Sequence, residues 1–225
     1  MDNKVDLKIY GQGSSCGGIF KDVIIKGNGQ INGAVDCRNY DIYGNGDIIG
    51  DLNADAIKIK GQAEFEGDVE TNEVKIQGEV RIKGDLSTEE AIITGNFKSS
   101  GDFNAEICKI EGGFEIDGLL NADKLEINMY WPCKVLEIGG TTINVKNDNK
   151  FSILGIKNII MPQSQNRLLV VDSIEADDIY LENTTAKIVR GKNIELGPDC
   201  HVDLLEYQEK FKDHEKSNVE KIVNI

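Results

Sequence analysis

Cationic side chains are in short supply: 25 Lys and Arg stand against 39 Asp and Glu, for a net charge of −14. Binding to nucleic acid neutralises phosphates with clustered Lys and Arg, so this composition argues against a nucleic-acid partner. It also disfavours electrostatic docking on anionic lipid. No window approaches 18 apolar residues, so nothing reads as a membrane-spanning helix. The opening residues MDNKVDLKIYG lack the apolar core of a signal peptide, and a cytoplasmic location is expected. Five cysteines form an odd set without a CxxC pair, so neither a disulfide framework nor a zinc site is indicated. Cys37, Cys108 and Cys200 fall at inward positions, where a thiol acts as a small hydrophobe. There are only three prolines, one tryptophan and two histidines.

What the chain has is a repeat of constant period, the step from Ile25 to Ile42. Isoleucine stands at Ile25, Ile42, Ile59, Ile76, Ile93, Ile110 and Ile127. One glycine column follows each of the first six (Gly27, Gly44, Gly61, Gly78, Gly95, Gly112), and a second comes six positions later (Gly33, Gly50, Gly67, Gly84, Gly101, Gly118). Within a unit, Ile59, Gly61, Ala63, Phe65, Gly67, Val69 and Thr71 alternate with polar residues, the period of a strand with one buried face. The spacings of three and four that a helix needs are absent. Each unit therefore reads as three short strand-like sides, with glycine at two of the bends. So short a unit cannot bury its own apolar face, but stacked units share a core and pair their backbones. The predicted fold is all-β: a three-sided parallel β-solenoid with one 17-residue unit per coil.

The pattern predicts seven coils over 1–127, an interruption or excursion over 128–169, further coils over 170–206 and a charged helix or frayed tail over 207–225. Ile9, Gly11, Gly17 and Ile19 fit the unit with one residue deleted before Ile25. Ile174, Ala176, Ile179 and Leu181 recur as Val189, Gly191, Ile194 and Leu196, a slightly shorter step. The sequence leaves open whether the two blocks form one stack.

Candidate sites are few. The run Gly11 to Gly17 lacks the helix and Lys-Ser/Thr ending of a phosphate loop, and its glycines belong to the repeat. Gly191-Lys192 fails in the same way. His201 sits between inward Cys200 and Val202 and should face solvent, so a catalytic base there is disfavoured. No catalytic residue, cofactor or metal is expected. Asp51, Asp68, Asp85 and Asp102 each follow a second-column glycine. Stacked, they would form a ladder able to bind a divalent cation, but Asx-type turns at each corner are the preferred reading. Glu64 with Arg81, Glu66 with Lys83 and Lys98 with Glu115 look placed for pairing between coils.

Units such as IKGQAEFEGDVETNEVKI (59–76) and IYGNGDIIGDLNADAIKI (42–59) resemble coils of the bactofilins, bacterial polymer-forming cytoskeletal proteins. The resemblance covers residues 9–127 and, more weakly, 170–205. It implies a right-handed β-helix that polymerises end to end without nucleotide and acts as a scaffold, with cell-envelope or shape-related partners. The break at 128–169 and the coils after it depart from the usual single core. The expected function is thus a self-associating scaffold. Leu7, Ile9 and Ile19 are expected at one assembling end, and Val202 and Leu204 at the other. The alternative is a monomeric or dimeric binding module that contacts a protein through Tyr130 and Trp131 of the excursion.

Overall fold

In the computed structural model, residues 4–147, 150–153, 156–160 and 167–225 are described. Ten strands stack in one parallel sheet: β1 (Leu7–Ile19), β2 (Asp22–Ile49), β3 (Leu52–Phe65), β4 (Val69–Ile82), β5 (Leu86–Ser99), β6 (Phe103–Lys146), β9 (Leu169–Leu181), β10 (Thr184–Leu196), β11 (His201–Lys212) and β12 (Asn218–Asn224). Two short strands, β7 (Lys150–Ile153) and β8 (Ile156–Ile160), pair antiparallel outside the stack. The architecture is a parallel β-solenoid of about 12 turns, as the repeat predicts.

A typical inner coil turns three pairs of side chains inward. In one coil these are Leu52 and Ala54, Ile57 and Ile59, then Ala63 and Phe65. From β2 to the start of β6 each residue lies on its counterpart in the next repeat unit, for instance Ile42 on Ile59 on Ile76. Like therefore stacks on like, and the core is one continuous cluster from Ile9 to Leu205.

The two glycine columns are glycine for different reasons. Gly78 has φ of +144°, and a Cβ there would lie 2.0 Å from the carbonyl oxygen of Gly61 in the coil below. That column needs both the left-handed backbone and the bare contact. Gly84 has no positive φ, but its Cβ would lie 2.2 Å from Oδ1 of Asp68. At Gly67, Gly84, Gly101 and Gly118 the second column therefore leaves room for the aspartate of the preceding coil, whereas Gly33 (φ +113°) and Gly50 (φ +146°) share the left-handed backbone of the first column.

The deletion inferred before Ile25 lies at Gly17, where the register slips between Cys16 on Asn32 and Gly18 on Val35. The stack is unbroken across the interruption. β6 runs through Cys133 to Lys146, and Cys133 pairs with Leu169 while Ile138 pairs with Ile174. Of the described residues between 128 and 169, only those after Lys146 and before Leu169 stand outside the stack, a narrower break than the pattern suggests. Ile174 stacks on Val189 and Leu181 on Leu196, the shorter step seen in the sequence.

The tail corrects the sequence reading. It is neither a charged helix nor a frayed end, and no helix occurs among the described residues. β12 lies parallel on β11, with Val202 under Val219 and Leu205 under Ile222. Those apolar residues keep the spacing of the first repeat units. The corner glycines that advertise it elsewhere are missing, because Tyr207 stands where Gly191 stood one coil earlier.

Candidate assembly surfaces

Two kinds of surface leave groups unsatisfied within the chain: the ends of the stack and its long faces. At the front, β1 has one neighbour, β2, so among the described residues nothing pairs its outer backbone edge. Ile9 is 7% exposed and Leu7 half-buried, packed against the core, while Val5 and Tyr10 are 67% and 62% exposed. Ile19 departs from its expected role. The register slip gives Gly18 the inward place over Val35 and turns Ile19 outward beside Asp36, so it is 63% exposed.

At the back, Val202 is buried and Leu204 half-buried beneath β12, so they are not the end coil. The last layer is β12, whose outer edge nothing pairs among the described residues and where Ile222 and Ile225 are 48% and 55% exposed. The step from Val202 to Val219, equal to that from Ile25 to Ile42, was the signal that could have placed the end there.

The aspartate ladder has a structural role. Oδ1 of Asp51 accepts the backbone N–H of Asp68 at 3.0 Å, Asp68 that of Asp85 at 2.9 Å, and Asp85 that of Asp102 at 2.8 Å. Asp102 accepts the N–H of Leu119 at 2.8 Å, which ends the series. The carboxylates thus cap corner amides one coil ahead. This corrects the Asx-turn form expected from the sequence, in which each would bond within its own corner. Among the described residues no cluster of His, Cys, Asp and Glu converges as a metal site.

The inter-coil pairs read from the sequence all form: Glu64 with Arg81 at 3.7 Å, Glu66 with Lys83 at 2.6 Å and Lys98 with Glu115 at 2.8 Å. His201 is exposed at the start of β11. Cys37, Cys108, Cys133 and Cys200 are buried and Cys16 is exposed, all as free thiols. Burial pushes Cys37 and Cys133 up to about 12 and Cys200 to about 11, which makes them poor nucleophiles.

The excursion is pinned at both roots. The Asn147 amide donates to Glu182 Oε2 at 2.9 Å, and the Tyr180 hydroxyl donates to Glu182 Oε1 at 2.6 Å. Burial and that carboxylate raise Tyr180 to about 12. On the return, the Arg167 guanidinium lies 5.8 Å over the Tyr130 ring, and the Cys133 amide bonds the Leu168 carbonyl. Tyr130 is accordingly buried and not a contact surface, whereas Trp131 is 45% exposed. Trp131 and Pro132 overhang an open groove of about 720 Å³, floored by Gly78, Gly95 and Phe114.

A parallel β-solenoid with unpaired edges at both ends defines the class of protein. Comparison gives a family for its first part: residues 2–87 match the bactofilin model, described as polymer-forming cytoskeletal. The resemblance read from the repeat units is thereby shown over those residues. The chain is 42% identical to the uncharacterized protein YhbF of Bacillus subtilis (strain 168) over 76 residues, 34% of this chain and 28% of that protein. It is 39% identical to the uncharacterized protein YhbE of the same organism over 61 residues, 27% of this chain and 24% of that one. The aligned segments thus cover about a quarter of these curated relatives. No solved structure matches.

Proposed function

We propose that this chain is a non-catalytic structural scaffold that self-associates end to end in the cytoplasm without nucleotide. One observation carries the reading: among the described residues both terminal strands present an unpaired parallel edge over an apolar core, with Val5 exposed at one end and Ile222 at the other. Such an edge templates another strand unless it is covered. A second solenoid supplies both a matching strand and a matching core. The match of residues 2–87 to a polymer-forming family supports the same reading. Head-to-tail joining would extend into filaments, and joining of like ends would stop at dimers. Cell-envelope or shape-related proteins are the partners such a scaffold would position.

Val5→Asp and Ile222→Asp test this more cleanly than Ile9→Asp. Both residues are exposed in the single chain, whereas Ile9 is part of the core. Each should lower the sedimentation coefficient of the assembled protein while the circular dichroism of the body is kept. Assembly unchanged in both variants would overturn the proposal.

A second reading is favoured by exposed Trp131 above its groove: a binding module that holds a protein partner along this face. Trp131→Ala separates the two. A scaffold still assembles, whereas a binding module loses its partner and shows no assembly to lose.

A further inference from the structure

The charge of the glycine-cornered block is sorted by face. Two outward columns flank the Ile9–Ile25–Ile59 core column. One runs Lys8, Ile24, Asp41, Lys58, Lys75, and the other Tyr10, Lys26, Tyr43, Lys60, Gln77. Five lysines share this face with a single acid, on a chain of net charge −14. Lys26 sits between two rings, 6.0 Å from Tyr10 and 5.6 Å from Tyr43. Lys8 and Lys75 bond acids at the rim, Asp6 and Glu73, but Lys58 and Lys60 take part in no ion pair among the described residues.

The opposite sign gathers past the second glycine column. Asp55, Glu70 and Glu89 are exposed there without ion pairs among the described residues, next to the free oxygens of Asp68 and Asp85. The cations on that side, Lys4, Lys21 and Arg38, belong to the first coils. The basic face spans the first five coils, and the acidic face is clear of Lys and Arg from Asp51 to Glu106.

We propose that a second copy of this chain docks side by side, its acidic face on the lysine–tyrosine face, offset along the solenoid axis. Two solenoids with the same coil rise of about 4.8 Å present their charges at the same repeat. Once one lysine meets an acid, the next coil's pair is in register. The net charges of two copies repel, but at physiological salt that repulsion is screened beyond about 8 Å, while the facing columns are in contact. The tyrosines add flat amphipathic area at little entropic cost. This surface is distinct from the strand edges at the two ends.

The test uses the full chain carrying Val5→Asp and Ile222→Asp, so that end-to-end association, if present, is blocked and side-to-side association is read alone. Sedimentation equilibrium at physiological salt should show dimers and larger oligomers, because each docked copy leaves one face of each kind open, and these should dissociate at high salt. Adding K58E and K60E should weaken the dimer by about tenfold or more, because facing charges become like charges. E70K with E89K should weaken it equally, and mixing the two charge-reversed proteins should restore it. All four positions are exposed and outside the core, so folding is kept, as circular dichroism will confirm. Absence of association at physiological salt, or association that survives high salt or the K58E/K60E change, overturns the proposal. So does salt-sensitive binding of the monomer to phosphatidylserine vesicles that needs Lys58 and Lys60, since the basic face would then serve a bilayer. Wild-type protein that assembles while the end-blocked variant does not pair would leave the end-to-end reading standing and remove this one.

Discussion

Residues 22–119 and 169–212 build the same stack with different corners. In the first block the corners are bare backbone: glycine lies on glycine, with carbonyl contacts no Cβ could share, and aspartates cap the amides one coil ahead. In the second block the coils are shorter, with Val189 on Ile174 and Leu205 on Val189, and the left-handed corners fall to Asn183 (φ 46°) and Asp199 (φ 59°). Asn and Asp tolerate that region because their short polar side chains bond locally. Side chains also tie the coils together there: Lys187 with Asp172 and Lys192 with Asp177, both at 2.8 Å, and Arg190 between Glu175 at 3.2 Å and Glu206 at 2.7 Å. The core column continues through the change, since Ile179, Ile194 and Phe211 stack on one another, with one register slip between Gly191 and Asn193. A solenoid needs its inward pattern and a way round each corner, and more than one chemistry supplies the corner.

If the first block depends on bare corners, a methyl group there should do the most damage. Gly78→Ala should cost about 3 kcal/mol or more, from a strained φ and a backbone clash. Gly197→Ala in the second block meets Glu182 Cγ and the Tyr180 hydroxyl at 2.8 Å and the Leu181 carbonyl oxygen at 3.2 Å, closer to side chain than to backbone and without a left-handed φ, and should cost less than Gly78→Ala in urea unfolding. Equal losses would erase the distinction.

Asp85→Ala should cost about 1–2 kcal/mol by removing the acceptor for the Asp102 amide, and Asp85→Asn should recover part of it. Tyr40 is buried in the first block with its hydroxyl unbonded among the described residues. Tyr40→Phe should therefore raise stability by about 1 kcal/mol, and a loss would reveal a partner for that oxygen.

The second block's ion pairs are exposed, so Arg190→Met should cost less than about 1 kcal/mol, and the difference should vanish at high salt. Alkylation of the native protein at neutral pH should modify Cys16 alone, leaving Cys37 and Cys200, one from each block, protected until unfolding. Labelling of Cys200 would mean that the second block opens locally.

The first block was legible because its corners are glycine and its period constant, so that inward residues, inter-coil ion pairs and the presence of a single deletion before Ile25 could be read from spacing, though not its place at Gly17. The second block was legible through its isoleucine and leucine spacing alone. The last coil was missed because Tyr207 and a run of charged residues hide the regular step from Val202 and Leu205 to Val219 and Ile222. The extent of the break was overestimated because the step from Ala122 to Cys133 is shorter than a repeat unit, and Trp131 packs over Gly113 within it. The role of the aspartates was half legible. Periodicity stacks them, but only the three-dimensional register shows that each carboxylate reaches forward to the next coil. Tyr130 and Trp131 are neighbours in sequence and face opposite ways, as alternation in a strand requires.

The most direct test of the central claim, that open strand edges make this solenoid self-associate, is negative-stain electron microscopy of the purified full chain without nucleotide, beside its Val5→Asp variant. The account predicts elongated end-to-end assemblies of the wild-type protein and single short rods of the variant. Single rods from both proteins would contradict it.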